Sequence, residues 1–340
     1  MTTITIPIED ARQVAIRIGV RHGLMPPEAT LVAEDYLSAE LSGIRTHGLL
    51  KLIVLPAALQ KRLGAPLPLW EHEALMMLDG QREIGPLAAR MCVDRAITKA
   101  KTHGIAFVGV RNISRYGRLA PYGERLARAG CIGIIANQGG LAIAPPAGIT
   151  PVLGANPLCL AFPRPNGEPL VIDLSTSNAV WSEVILADVE GRELPPNYFM
   201  DAAGVMTTMP SAAYSVDSFA GGRGFALALA LEVLCGALLG ARLGRAVRDE
   251  YDLGYVFIAL HAEAFWAHGE DIGSGATAFA ATIATLAEDI HHATMRDPHL
   301  RGRLPGERSA ATYRTAQESG ILTIHPRLWE RLTHLAEGNA

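Results

Sequence analysis

Apolar and polar residues alternate along this chain with two different periods. Over the first seventy residues the spacing is helical, with apolar residues three and four apart from Ile8 to His22 and from Pro27 to Ser42. Pro26-Pro27 marks the gap between these helices, and Leu49 to Leu63 reads as a third helix interrupted near Pro56. From about residue 74 the pattern changes to short apolar runs bounded by Gly, Pro or Asn. Ile105–Val110, Cys131–Ala136, Leu158–Phe162, Leu170–Asp173 and Tyr255–Leu260 are predicted as buried strands. Arg115 to Ala129 suits a helix between the first two strands, residues 139–157 read as loop, and Gly191 to Ser215 as a turn-rich excursion. Helices return at Ala278 to Thr294 and from Ala310 onward. No repeat or low-complexity tract interrupts this order.

The pattern predicts a mixed α/β (α+β) fold in two parts. Residues 1–73 with 300–340 would form a helical domain built from both termini. Residues 74–299 would form a central α/β domain.

One stretch calls for a membrane check. Between Arg223 and Arg242 the chain reads GFALALALEVLCGALLGA, nearly long enough to span a bilayer. Glu232 in its middle, and its richness in alanine and glycine, favour a helix buried in a large core.

Composition narrows the possible functions. At 340 residues, 49% hydrophobic and 19% charged, the chain can bury a large core and is not a disordered sequence. A formal charge of −4 and no basic tract interleaved with aromatics give no reason to expect a nucleic acid partner. Cys92, Cys131, Cys159 and Cys235 lie far apart without a C-x-x-C pair, which argues against a zinc ribbon or redox dithiol. The first fifteen residues hold no basic stretch followed by an apolar one, so no secretory signal is expected. Together these features point to a cytoplasmic protein held off membranes.

Chemistry must then come from short segments. The dinucleotide fingerprint G-x-G-x-x-G is absent, as is the G-x-S-x-G elbow of serine hydrolases. Gly221-Gly222-Arg223-Gly224 before the long apolar helix is the best substitute phosphate site, although a plain turn fits equally well. In Thr46-His47-Gly48, a histidine with Lys51 one turn on suits a proton donor beside a carboxylate anchor. Taken alone, the fragment reads more readily as a partly buried structural histidine. His291-His292 and His299 are expected to face solvent. His103, His261 and His268 show no ligand spacing, and no metal site is expected.

Six segments in order change the balance. Leu41-Ser-Gly-Ile-Arg-Thr-His-Gly48, Asn112-Ile-Ser-Arg-Tyr-Gly117, Leu153-Gly-Ala-Asn-Pro157, Ile172-Asp-Leu-Ser-Thr-Ser177, Gly221-Gly-Arg-Gly-Phe225 and Arg303-Leu-Pro-Gly-Glu307 span nearly the whole chain. They resemble the motifs of the malate/L-lactate dehydrogenase family, NAD(P)-dependent oxidoreductases without a Rossmann fold. That family includes ureidoglycolate, sulfolactate and diketogulonate enzymes and the reductase of piperideine- and pyrroline-2-carboxylate.

The resemblance implies a homodimer with a non-Rossmann central domain and a nicotinamide cofactor held between subunits and domains, NADH or NADPH being left open. It implies a small 2-oxo acid, 2-hydroxy acid or cyclic imino acid as substrate, with hydride transfer at the carbon next to the carboxylate. His47 would be the proton donor, and Lys51, Thr46 and Arg115 would contact substrate. Arg115, Tyr116, Gly117, Asp173, Leu174, Ser175, Gly222, Arg223 and Arg303, Leu304, Pro305, Gly306 and Glu307 would contact cofactor.

The chain departs from the pattern in three places. Arg115 replaces a family histidine and cannot act as an acid or base near neutral pH. Gly222-Arg223 keeps a cation where the family has His-Lys. Asn137-Gln138-Gly139-Gly140 lacks a lysine that some members carry. Two readings follow: an active reductase with His47 as its sole acid–base histidine, or a silent scaffold that binds a nucleotide or metabolite. The joint presence of His47, a cation at position 51 and the Pro-Gly-Glu segment favours activity.

Overall fold

The two chain ends meet in an antiparallel strand pair, Ile4–Pro7 with Ile321–Ile324, that opens and closes a helical layer. The computed structural model describes residues 2–164, 168–266, 275–297 and 299–338. His268 therefore lies outside the described residues.

Helices Ile8–Arg21, Pro26–Leu41 and Pro326–Glu337 bury their apolar stripes in one shared core, with Ile18, Leu37, Leu52 and Leu328 at its centre. Ile84, Leu186 and Val189 enter the same core from the central part of the chain. Three strands appear where the sequence suggests helix: Ile4–Pro7, its partner Ile321–Ile324, and Leu67–His72, which pairs with Leu75–Glu83 and joins the large sheet ahead of residue 73. The first two have only four residues each, too few for their alternating burial to stand out from helical spacing, and Leu67–His72 is exposed throughout and has no apolar face.

The large sheet has seven strands, in the order Leu67–His72, Leu75–Glu83, Ile105–Ile113, Gly254–His261, Cys131–Asn137, Leu158–Phe162 and Leu170–Leu174. Neighbours run antiparallel except Leu75–Glu83 beside Ile105–Ile113. The late strand Gly254–His261 inserts at the centre and is covered on both faces. Tyr255, Phe257 and Ala259 pack with helices Gly85–His103 and Ala120–Arg128, while Val256 packs with Leu231, Cys235 and Leu239. Burial on both sides explains its continuous apolar run.

The apolar stretch after Arg223 forms helix Gly222–Glu232 and ends in a π turn over Val233–Ala237. Among the described residues no helix is long and apolar enough to cross a membrane. Residues 139–157 are not all loop. Leu141–Ile143 and Leu153–Gly154 join Phe199–Met200 and Ser215–Val216 in a small sheet. The helix expected from Arg115 starts at Ala120, because the Asp173 carboxylate accepts the backbone N–H groups of Leu119 and Ala120, each at 2.9 Å.

Candidate active site

Glu40, near the end of helix Pro26–Leu41, is buried and accepts the Leu49 N–H at 2.9 Å across the Arg45–His47 turn. Gly48 makes this possible: a Cβ there would collide with the Glu40 carboxylate. Arg45 lies 3.6 Å from Glu40 and bonds the Glu190 carboxylate. Arg192 reaches Glu190 at 2.7 Å and Glu183 at 2.6 Å. Lys51 Nζ donates to Ser182 Oγ at 2.6 Å. The turn is thus fixed to helix Ser182–Glu190 by side chains on both of its sides. Burial pushes the Glu40 carboxyl up to about 7, against the Leu49 N–H and Arg45. Burial also opposes ionisation of Glu190, but Arg192 and Arg45 outweigh it and hold that carboxyl below its usual range.

On the other side of the turn His47 opens onto a cleft of about 1890 Å³. Arg45 and Thr46 stay outside its lining, but Thr46 Oγ1 sits 3.0 Å from His47 Nδ1 and fixes one ring nitrogen, leaving Nε2 for other partners. The imidazole is half-buried, and burial followed by the positive charges of Lys51 and Arg118 pushes its pKa down to about 3. Burial and Arg115 push the Lys51 ammonium down to about 8. The ring is therefore neutral near pH 7, beside cations that disfavour its protonation.

Several residues singled out from the sequence gather on this cleft: His47, Lys51, Arg115, Tyr116, Gly117, Asp173, Leu174, Ser175, Pro305 and Gly306. Not all present a free functional group to it. The Tyr116 hydroxyl donates to Asn137 Oδ1 at 2.7 Å within the sheet core, and Asp173 is engaged as the helix cap. Ser175 Oγ lies 2.8 Å from Ser177 Oγ. Gly117 lets its loop approach the histidine turn, since a Cβ there would come within 3.1 Å of the His47 carbonyl.

The remaining sequence candidates stand outside this lining. Gly222 and Arg223 are exposed at the start of helix Gly222–Glu232, just after Phe219, whose N–H donates to the Thr176 carbonyl at 3.1 Å. Arg303, Leu304 and Glu307 line a neighbouring cavity of about 1080 Å³ that shares Pro305 and Gly306. The Glu307 carboxylate accepts the Leu304 N–H at 3.0 Å and meets His291 Nε2 at 2.8 Å. His291 therefore braces this loop, where the sequence alone suggests a solvent-facing ring.

The structure adds two groups. Arg118, one residue past the Arg-Tyr-Gly segment, lines the cleft, and its only signal in the sequence was that adjacency. Glu232 is the second, the lone carboxylate of the apolar helix. It accepts from Gln138 Nε2 at 3.0 Å, Asn156 Nδ2 at 2.9 Å and the Gly244 N–H at 2.9 Å. Asn156 Oδ1 in turn accepts the Gly139 N–H at 2.8 Å, so Glu232 pins the Gln138–Gly140 segment of the cleft wall. No cluster of metal-ligating side chains occurs among the described residues.

A family model described as malate/L-lactate dehydrogenase matches residues 6–333. The chain is similar to delta(1)-pyrroline-2-carboxylate reductase 2 of Burkholderia multivorans, at 30% identity over 76% of this chain and 78% of the relative. It is also similar to a ureidoglycolate dehydrogenase (NAD(+)) of Escherichia coli, at 30% identity over 72% and 73%. Among solved structures, a dehydrogenase from Sinorhizobium meliloti superposes with a TM-score of 0.90 at 26% identity, covering 98% of each chain.

Proposed function

This chain belongs to the malate/L-lactate dehydrogenase family, and from that membership we propose that it reduces or oxidises the carbon next to a carboxylate in a small 2-oxo, 2-hydroxy or cyclic imino acid, with His47 as the proton donor. The chain is an oxidoreductase, and its family implies a nicotinamide cofactor. The observation that carries the finer reading is a neutral, tethered imidazole facing a cleft among cations that lack carboxylate partners.

The cleft suits the cofactor. Its volume exceeds the several hundred cubic ångströms of an ordinary small-molecule site, and the side chains of Arg115 and Arg118 enter no ion pair among the described residues. Arg115, the Gly117 backbone, Ser175 and the Pro305–Gly306 turn would hold the cofactor. When bound, it supplies or takes up a hydride.

The protein's own share is positioning and proton handling. Lys51, fixed by Ser182, meets the substrate carboxylate and loses its isolated positive charge. That neutralisation raises the basicity of His47, so the ring takes up a proton as the anion enters. In reduction the substrate carbon accepts a hydride, the C=O or C=N π pair moves to oxygen or nitrogen, and His47 delivers its proton there. In oxidation the neutral ring accepts that proton. Arg115, at the cleft mouth, carries positive charge but no exchangeable proton near neutral pH.

A homodimer is part of the same proposal. Ala226, Leu229, Ala230, Val233 and Ala237 form an exposed apolar stripe at helical spacing, which supports burial against a second chain. A cytoplasmic enzyme fits these features.

The test is loss of reduced-nicotinamide absorbance, with NADH and NADPH separately, against 2-oxo acids with and without amines and against preformed cyclic imino acids. Turnover with one group assigns the substrate class. No turnover across the panel, with cofactor still binding by titration, would replace this reading with that of a binding scaffold.

A further inference from the structure

A lysine ammonium is a compact point charge, so it meets one oxygen of a carboxylate well and leaves the other to a different donor. Lys51 has such a donor beside it. Its Nζ lies 2.6 Å from Ser182 Oγ, and both residues line the cleft. An ammonium carries hydrogens but no acceptor, so the serine oxygen accepts in this contact and its own hydrogen points elsewhere. Among the described residues no protein group accepts from the Ser182 hydroxyl, and Lys51 Nζ has no hydrogen-bond partner besides Ser182. Two ammonium hydrogens and one hydroxyl hydrogen are therefore left on adjacent atoms of the cleft wall.

The surroundings suit a ligand carboxylate at this pair. Lys51 enters no ion pair within 4 Å among the described residues, while at longer range Arg115 acts against its charge and Glu250 for it. Glu183, next to Ser182, is engaged by Arg192 at 2.6 Å and does not compete for either donor. Trp181 and Ile185, on either side of Ser182 along the chain, also line the cleft, and apolar neighbours strengthen a charge-assisted bond. Both donors are fixed in place. Lys51 belongs to the turn Leu49–Ile53, whose Leu49, Leu50 and Leu52 are buried in the helical core. Ser182 opens helix Ser182–Glu190, whose far end is tied through Glu190 to Arg45, two residues before His47. The Lys51 charge acts on the His47 ring, so the pair stands near the proton donor.

We propose that Ser182 is a substrate-binding residue, and that its hydroxyl and the Lys51 ammonium form a two-donor clamp in which each takes one oxygen of the carboxylate next to the reacting carbon. The clamp gives a lysine the two-point grip of a guanidinium. With both oxygens held, the carboxylate plane is fixed, and with it the face that the adjacent carbon turns to His47. A serine that only tethered Lys51 would leave the carboxylate free to rotate about a single contact.

This clamp rests on the reaction proposed above, and a binding measurement separates the two. Oxamate carries the carboxylate and a neighbouring carbonyl but is not reduced, and it is titrated calorimetrically into the intact protein with NADH or NADPH present. Ser182→Ala is expected to weaken oxamate about 10-fold, the scale of one hydrogen bond to a charged group. The KM of a turned-over acid should rise by a similar factor with a smaller change in kcat, and Tm should stay near the parent value. Ser182→Thr, which keeps the hydroxyl, should lose less. The deciding comparison is made in Lys51→Met, where Ser182→Ala should still weaken oxamate, or lower kcat/KM, by about 3-fold or more, because the hydroxyl meets the carboxylate itself. No further loss in that background would reduce Ser182 to a tether and overturn the clamp. So would a change below about 2-fold from Ser182→Ala alone. Oxamate binding that depends on Ser182, with no acid turned over, would keep the clamp and overturn the reaction. Turnover indifferent to Ser182→Ala would keep the reaction and overturn the clamp.

Discussion

The outer and inner faces of the Arg45–His47 turn use charge in opposite ways. On the outer face Glu40, Arg45, Glu190, Arg192 and Glu183 form a chain in which every charge has a counterpart. On the inner face Lys51 and Arg118 contact the Ser182 and Ser38 hydroxyls and enter no ion pair within 4 Å among the described residues, although Glu250 acts on Lys51 and Asp35, Glu124 and Asp173 lie within the field of Arg118; His47 beside them stays neutral. Charges matched in this way restrict geometry, because removing one leaves its partner uncompensated. Unmatched cations at a cleft hold a field ready for a ligand and keep little of the fold together.

That contrast can be broken from either face. The largest effect is expected from His47→Ala, which should lower turnover by about 10³-fold, the scale of general acid–base catalysis. Cofactor affinity by fluorescence titration should change little, and Tm should stay close to the parent value. Retention of most activity would remove His47 from the chemistry. From the outer face, Glu190→Ala should destabilise by about 2 kcal/mol, since it removes the carboxylate shared by Arg45 and Arg192 and leaves Arg45 with only the longer contact to Glu40 while Arg192 keeps Glu183. Chemical denaturation reads that loss, and a change below about 0.5 kcal/mol would show that the chain of charges is ornamental. Lys51→Met should instead raise the KM for the acid by about 30-fold with a smaller change in kcat, as expected for a contact made in both ground and transition states. Equal falls in kcat and kcat/KM would place Lys51 in the proton-transfer step.

The two faces also differ in how far the sequence exposes them. His47 and Lys51 are legible because they sit one turn apart in a motif-like fragment, and the six ordered segments supply the family and the mixed α/β fold. The outer chain of charges is not legible, because Glu40 and Glu190 are 150 positions apart and meet only through tertiary packing. Arg118 looks like any surface arginine in a helical segment until Asp173 caps the helix at Ala120 and leaves residues 115–119 as cleft wall. Glu232 could be noticed as a carboxylate in an apolar run. Its purpose depends on Gln138 and Asn156, which come from two separate connecting segments, one after strand Cys131–Asn137 and one before strand Leu158–Phe162. Strand Leu67–His72 is missed for a simpler reason: an edge strand exposed along its whole length has no apolar face to show. Gly222 and Arg223 look suited to phosphate in the sequence, yet within one chain they form the exposed start of helix Gly222–Glu232, outside the cleft lining.

The smallest effect, and the one that tests the inner face most directly, is the dependence of stability on pH in the ligand-free protein. The His47 pKa is held near 3 in the folded state against an ordinary value of 6.5. Between those values the unfolded chain binds a proton that the folded chain does not, so His47 costs no stability above about pH 6.5 and costs progressively more as pH falls. Asp35 and Glu40 act in the opposite sense, since burial raises each to about 7 and their share of stability is lost as pH rises toward that value. Comparing the protein with His47→Gln cancels both, because they are common to the two proteins. At pH 5 the parent should be less stable relative to the variant by roughly 1 kcal/mol more than at pH 7.5, after allowance for solvent screening of a half-buried ring. A pH-independent difference would mean that the cations do not act on His47, and the proton uptake assigned to substrate binding would then need another source.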